Sequence, residues 1–478
     1  MPFAASLVVL TALLLAAGEA CAGAEPTGPL PNPLRADVLV VGGTPPGWAA
    51  AVAAARQGAS VVLLEPRSEL GGDITGAWLN TFDMNWGPNR EHLTRGLFLE
   101  LYRVLGQTFD VAQARELFHR IARSQPRLRV LLNTRVRYPL TQQGRIIGVL
   151  AEGPDLAPVT VLARQTIDAT DDGAVAVAAG VPYTVGREES GLDRRMQAAT
   201  LIFRLAGVNP AGVARYLREV EQPFGRGGMW GRTAWGYREP MRGFRARSPR
   251  AAAYDLNLGW QSDGTVLVNA LQVFDVDGTD PASVAEGRAL ALAELDGLVA
   301  YLRQAAPGFQ RAVLVGAAPY LYIRETRHIF GRYRMREEDI LEGSDFWDRI
   351  AVASYPIDIH PYQPGQFYPF SPVRRAYSIP YRMLVASGVE DLQVVGKALS
   401  ASYVAYGSLR VIPTLIALGE AAGTAAALCV QWDISPSRLA VDPDALAALQ
   451  NRLVAQGAYL THPGSVAVRT GGSDVTAQ

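Results

Sequence analysis

Asp37-Val38-Leu39-Val40-Val41-Gly42-Gly43-Thr44-Pro45-Pro46-Gly47 is the stretch on which the fold turns, and Trp48-Ala49-Ala50-Ala51-Val52-Ala53-Ala54-Ala55-Arg56-Gln57-Gly58 continues it. Val38 to Val41 is a continuous apolar run of the kind buried on both faces of a parallel sheet. The alanine-rich run after Gly47 predicts a helix, stopped at Gly58. A second apolar run, Val61 to Leu64, ends on Glu65, eighteen positions after Gly47. Strand, glycine turn, helix, strand and acid make a βαβ unit that binds a dinucleotide. Gly42 makes the tight turn, and Gly47 lets the helix pack closely on the strand. The free N–H groups and partial positive charge of the helix N-terminus face a diphosphate. Glu65 is placed to accept from a ribose hydroxyl, and its charge would repel the 2′-phosphate of NADP. Thr44 stands where G-x-G-x-x-G has its middle glycine. Its side chain is expected to crowd the phosphate unless the hydroxyl becomes a ligand. Pro45 and Pro46 suit the first helical turn, where no N–H partner is owed.

Working outward, the 478 residues are enough for two or three domains with a large core. Hydrophobic residues at 49% and charged residues at 19% exclude a disordered chain. Lys+Arg and Asp+Glu are both 45, which argues against nucleic acid or an anionic membrane surface as a bulk partner. Lys397 is the only lysine. Two cysteines exclude a disulfide scaffold and a cysteine-based metal site, and no metal is expected. Leu7 to Ala17 is apolar but shorter than a membrane span, and Ala20-Cys21-Ala22 and Ala22-Gly23-Ala24 follow with small-residue spacing. The expectation is a signal peptide over 1–24, a proline-rich linker over 25–35, and a secreted or periplasmic protein with no integral membrane span after processing. A lipoprotein or an uncleaved anchor is the lesser alternative. No twin arginine precedes the apolar run.

Four further segments join the first. Gly71-Gly72-Asp73-Ile74-Thr75-Gly76 follows the acid. Thr166-Ile167-Asp168-Ala169-Thr170-Asp171-Asp172-Gly173 reads as strand and turn. Tyr322-Ile323-Arg324-Glu325-Thr326-Arg327 is a charged stretch, and Leu392 to Leu428 holds a short strand and a helix rich in alanine and glycine. On these segments, spread over residues 36 to 430, the chain resembles the FAD-dependent oxidoreductases of the glutathione-reductase-like flavoprotein superfamily, in the branch with a GG-T-P-x-G first turn. The resemblance implies an α/β fold: a Rossmann-like FAD-binding domain, a parallel sheet with a β-meander, plus an inserted α+β substrate domain. The expected divisions are 36–180 and 382–430 for the two FAD-binding parts, 181–381 for the substrate domain, and 431–478 for a last helix and tail.

The resemblance also implies where FAD is held. Gly42, Gly43, Thr44, Pro45, Pro46 and Gly47 would surround the diphosphate, with Glu65, Pro66 and Arg67 toward the ribose. Gly71, Gly72 and Thr75 would lie along the flavin, and Val136 would offer a backbone group to adenine. Thr170, Asp172, Gly396, Arg410 and Thr414 would complete the site, the last two near the pyrimidine end of the ring. Two departures stand out. Asp171 occupies a position where glycine is common, and Lys397 replaces the aspartate of the wider superfamily's Gly-Asp. That loss hands the ribityl chain to backbone groups. Lys397 and Arg410 either add positive charge near the flavin or are surface ion-pair partners. Gly423 inside the helix costs about 1 kcal/mol against alanine, so a close approach to another backbone is expected there.

Flavin carries the redox chemistry, so the protein must place a substrate and manage a proton. His360, in the loop Tyr355-Pro356-Ile357-Asp358-Ile359-His360-Pro361-Tyr362, is a candidate acid–base group, with a structural histidine as the plain alternative. Arg324 and Arg327 are candidates to clamp a carboxylate or donate a proton. The plain alternative is that Glu325 pairs with an arginine to fix the fold. Trp78, Asn80, Asp83, Asn85 and Trp86 are candidates for the substrate side. The leading expectation is an exported FAD-dependent oxidoreductase, moving a hydride between flavin and a small organic substrate, with a further electron acceptor or donor. The rivals are a flavin enzyme without net redox, such as an isomerase or hydratase, and a non-catalytic binding protein on a degenerate flavin fold. Hydrolase, metalloprotease and nucleoside-triphosphatase motifs are absent.

Overall fold

The computed structural model describes residues 33–368 and 370–463. The expected signal peptide, most of the linker and the chain beyond 463 lie outside the described residues. Strand β1 (Leu34–Val41) leads into helix α1 (Pro45–Arg56) and strand β2 (Val61–Leu64), as the apolar runs predict. β3 (Leu128–Leu131), β4 (Arg135–Gln142), β5 (Arg145–Glu152), β6 (Pro158–Asp168) and β7 (Leu392–Val394) complete one sheet. Its order is β3-β2-β1-β6-β5-β4, with β7 also on β6. β3, β2, β1, β6 and β7 are parallel, whereas β4, β5 and β6 form an antiparallel meander.

β6 therefore serves both halves. Residues 158–162 pair with β5, and residues 166–168 pair with β7. The two strand-like segments of the sequence, Val159–Leu162 and Thr166–Asp168, are one strand. All five parallel strands end on one edge, which brings Gly42, Glu65, Ala169 and Val395 together, although Val395 lies hundreds of residues from Gly42.

Helix α2 (Ile412–Trp432) runs against α1, and the small residues explain the fit. A Cβ at Gly419 would lie 2.0 Å from the Pro46 carbonyl oxygen, and one at Gly423 would lie 2.0 Å from that of Ala50. The close approach expected at Gly423 is therefore present. Facing alanines from Ala49 to Ala55 are all buried. α2 is long and apolar enough to cross a membrane, but 94% of its apolar window is buried inside the fold, which marks a core helix.

A second sheet is antiparallel. Its order is Val313–Ala317, Ala199–Ala206, Val266–Val273, Leu256–Trp260, Thr233–Gly236 and Gly228–Trp230. Helix Pro281–Ala305 packs on it through Ala291, Leu295, Leu298 and Leu302. The helix is longer than the Leu290–Leu302 segment that amphipathicity marks out. Asp280 caps it, accepting from Ala282 N, and its first turns are largely exposed, so no apolar stripe announces them. Asp442 likewise caps the last helix, Pro443–Ala455, which buries Leu446, Leu449 and Leu453.

Candidate functional site

The carboxyl edge of the parallel sheet is shaped first by Gly42. Its φ is +103°, and a Cβ there would sit 2.4 Å from the Ala169 carbonyl oxygen. Only glycine fits both constraints. Gly43 N donates to Glu65 Oε2 at 2.5 Å, and Arg67 N donates to Glu65 Oε1 at 2.9 Å. Glu65 is buried, and desolvation outweighs Arg67 and the two backbone donors to raise its pKa. Pro66 is exposed beside it. Thr44 caps α1: its hydroxyl accepts from Gly47 N at 3.3 Å and donates to the Ala169 carbonyl at 2.9 Å. The expected phosphate ligand is thus spent on the cap. At Gly47 a Cβ would fall 1.9 Å from the Gly42 carbonyl oxygen, the close strand–helix contact anticipated.

Gly71 N donates to the Gly43 carbonyl at 2.8 Å, which lays the second glycine pair against the first turn. Gly72 follows within the same short helix, and Thr75 donates to the Leu70 carbonyl at 2.8 Å. Thr170 bonds to buried Asp168 through its N, at 3.0 Å, and its hydroxyl, at 2.7 Å. Val136 is half-buried at the start of β4, where Thr134 N donates to the Glu65 carbonyl at 2.9 Å.

A single cavity joins the starts of α1 and α2. Thr44, Pro45, Pro46, Thr170, Gly396, Tyr322, Arg410, Ile412 and Leu415 line it, together with Asp73, Asp171 and Lys397. The free volume is about 20 Å³, room for a water molecule. The Lys397 Nζ lies 2.9 Å from Asp73, 3.1 Å from Asp171 and 2.8 Å from the Ile323 carbonyl. Arg67 reaches Asp171 at 2.5 Å. Burial raises Asp73 against the pull of Lys397, whereas at Asp171 Lys397 and Arg67 outweigh burial and hold the carboxyl below its usual range.

Arg410 lies just before α2, which no side chain caps. It pairs with Asp358 at 2.8 Å and donates to Tyr322 Oη at 3.1 Å. His360 Nε2 is 3.5 Å from the same Asp358. Burial and then Arg324 lower the His360 pKa to about 4, so the ring is neutral at pH 7. At Asp358, His360 and the arginines outweigh burial and keep the carboxylate ionised. Arg324 is buried and donates to the Ala198 carbonyl at 2.7 Å and to Thr200 Oγ1 at 2.6 Å. Burial lowers its pKa to about 10. Thr414, one turn into α2, accepts from Asn85 Nδ2 at 2.9 Å.

Several expectations need correction. Lys397 and Arg410 are not surface partners; each is buried within an ion pair. Among the described residues Glu325 pairs with no arginine. It accepts from Gln197 N and meets His328, both at 3.0 Å. Arg327 pairs with Asp172 at 2.7 Å and faces a different cleft, of about 370 Å³, beside Tyr183, Arg195 and Asp275. Asn80 donates to the carbonyls of Phe109 and Gly259, and Asn85 also accepts from Ser354 N and Tyr355 N, so both brace loops. Trp86 stacks on His92. Asp73 and Asp358 were missed as site residues. The only sequence signals were the position of Asp73 inside the glycine pair and of Asp358 two residues before His360.

A parallel sheet whose carboxyl edge meets two helix N-termini across one cavity defines a Rossmann-type dinucleotide-cofactor protein. The chain belongs to the FAD dependent oxidoreductase family, whose sequence profile matches residues 37–453, and it is an FAD-dependent enzyme. No curated protein matches the sequence. Among solved structures, a geranylgeranyl bacteriochlorophyll reductase-like protein from Thermoplasma acidophilum is similar at 13% identity and a TM-score of 0.44, over 90% of this chain and 89% of that one. The myxobacterial chondrochloren halogenase gives 14% and 0.43, over 88% and 79%. The p-nitrophenol 4-monooxygenase from Pseudomonas putida DLL-E4 gives 12% and 0.42, over 90% and 89%.

The donor set fits FAD. Among the described residues buried Arg410 has an Nε with no partner, the α2 N-terminus is uncapped by side chains, and Gly396 lines the cavity beside Pro46. The free volume of about 20 Å³ is far smaller than the cofactor, and Lys397, Asp73 and Asp171 are among the residues that line it.

Proposed function

We propose that the protein is an exported FAD-dependent oxidoreductase that moves a hydride between a small organic substrate and the flavin. The observation that carries this reading is the cavity shared by the starts of α1 and α2. Gly42 to Gly47 and the α1 N-terminus would hold the diphosphate, with Glu65 and Arg67 toward the adenosine. Asp73, Asp171 and Lys397 would meet the middle of the cofactor, and Arg410 with the start of α2 would face the ring. FAD, when bound, supplies a two-electron acceptor or donor.

The chain's own groups then have three tasks. Arg410 and the α2 dipole put positive potential where negative charge builds during reduction. His360, neutral above about pH 4, takes a proton from a substrate O–H or N–H. Asp358 positions His360 and ties it to Arg410. Export is supported by the apolar Leu7–Ala17 run with small residues after it.

The experiment is an anaerobic screen of alcohols, amines and hydroxy acids against the flavin-loaded protein. A substrate should bleach the oxidised flavin absorbance, and air or an artificial acceptor should restore it. Turnover without any bleaching would favour a reaction without net redox. The His360-dependent limb of kcat/KM should fall near pH 4. A limb near the ordinary histidine value, about 6.5, would contradict the role given to burial.

A further inference from the structure

The polar cluster behind the start of α2 is out of charge balance. Arg324 and Arg410 are 3% and 6% exposed. Arg410 has Asp358 at 2.8 Å, but Arg324 has no carboxylate within ion-pair distance among the described residues. Its guanidinium instead lies 4.6 Å from the centre of the Tyr322 ring. Asp73 and Asp255 act on Arg324 only at longer range, and each has its own partner: Lys397 at 2.9 Å and Arg238 at 3.6 Å. His360 is neutral at pH 7. Two buried cations therefore share one carboxylate.

The hydrogen bonds tell the same story. The Nε atoms of Arg324 and Arg410 are both buried with no acceptor. An unpaired guanidinium inside a protein is costly, and so is each unmade hydrogen bond. Both arginines touch Tyr322, Arg324 over its ring and Arg410 through a hydrogen bond to its hydroxyl at 3.1 Å, and Tyr322 and Arg410 line the cavity. A carboxylate supplies the negative charge and the acceptor oxygens that the two guanidinium groups lack, and its geometry matches a guanidinium fork.

We propose that Arg324 and Arg410, both in contact with Tyr322, form the receptor for a carboxylate group of the substrate. The proposal rests on the oxidoreductase reading above and narrows its substrates to carboxylic acids. His360, joined to Arg410 through Asp358, would then take the proton of the O–H or N–H that the carboxylate-bearing substrate presents.

The test uses the full chain loaded with FAD. Flavin content and reduction by dithionite are measured first, and absence of flavin would count against the oxidoreductase reading. Sodium benzoate and sodium succinate are then titrated, with benzamide as the neutral control and inorganic phosphate at equal ionic strength. Difference absorbance of the flavin and thermal stabilisation are read together, the latter with and without flavin, so the carboxylate question is decided in either case. The expected result is saturable binding of a carboxylate, none of benzamide, and no comparable effect of phosphate. Arg324→Gln should weaken carboxylate binding about 30-fold or more at unchanged flavin content, and Arg324→Lys, which keeps the charge, should weaken it less. The proposal is overturned if neither carboxylate binds, if benzamide or phosphate does as well, or if both Arg324 variants bind as the parent does.

Discussion

Gly423 shows how one missing side chain sets an interface. In a free helix, Gly→Ala stabilises by about 1 kcal/mol. Here the added Cβ would meet the Ala50 carbonyl oxygen at 2.0 Å, in the backbone of a buried helix that cannot step aside. Gly423→Ala is therefore expected to destabilise by about 2 kcal/mol, the ordinary cost of overpacking. The check is the urea midpoint, and a gain in stability would refute the close contact. Residue-scale reading of the sequence succeeded where the reason was local. Gly42, Gly47 and Gly423 each carry a steric demand visible from strand, turn and helix patterns. It failed for charges. Lys397 meets Asp171 across 226 positions and Asp73 across 324, and no spacing rule connects them. Asp73 and Asp171 line the cavity, and both pair with Lys397. Lys397→Met would leave half-buried Asp73 without its cation, while Asp171 would keep Arg67. Loss of about 3 kcal/mol of stability is the expected outcome in denaturation measurements.

At the scale of elements, Glu420 links α2 to the helix Leu97–Leu105, whose first N–H it accepts at 2.9 Å. That helix begins at Gly96, which offers no side-chain cap. Burial drives the Glu420 pKa up from 4.5 to about 7. Between those values the folded chain holds a proton that the unfolded chain releases. Stability therefore falls as pH rises through this window, and the full penalty is present above about pH 7. The shift corresponds to about 3 kcal/mol. Glu420→Gln keeps an acceptor for Leu97 N without the charge. The variant should match the parent near pH 4 and exceed it in melting temperature at pH 8. Equal melting temperatures at both pH values would contradict the buried, protonated state. Elements with strong local patterning, α1 above all, were readable in advance. The antiparallel sheet from Ala199 to Ala317 was not, since its strands are short, some buried on both faces, and paired out of chain order.

For the whole molecule, the controlling fact is that one sheet edge gathers loops from residues 42, 65, 169 and 395, while α2 crosses back over α1. The parallel half of that sheet and its nucleotide edge follow from the βαβ signature. The position of the Asp358–His360 loop against Arg410 does not, because it depends on packing between the sheet and the segments that cover it. The proposed export makes a separate prediction at this scale. Cell fractionation should recover the protein outside the cytoplasm, shortened by about 24 residues, the ordinary length of a signal peptide. An intact N-terminus on a cytoplasmic protein would contradict that part of the account. The central claim is that FAD lies along the cavity joining the two helix starts. A crystal structure of the FAD-loaded protein tests it most directly. The account predicts diphosphate density at Gly42 to Gly47, ring density at Arg410 to Leu415, and Lys397 moved from its present contacts; flavin bound elsewhere, or no flavin at saturating FAD with this cavity still closed, would contradict it.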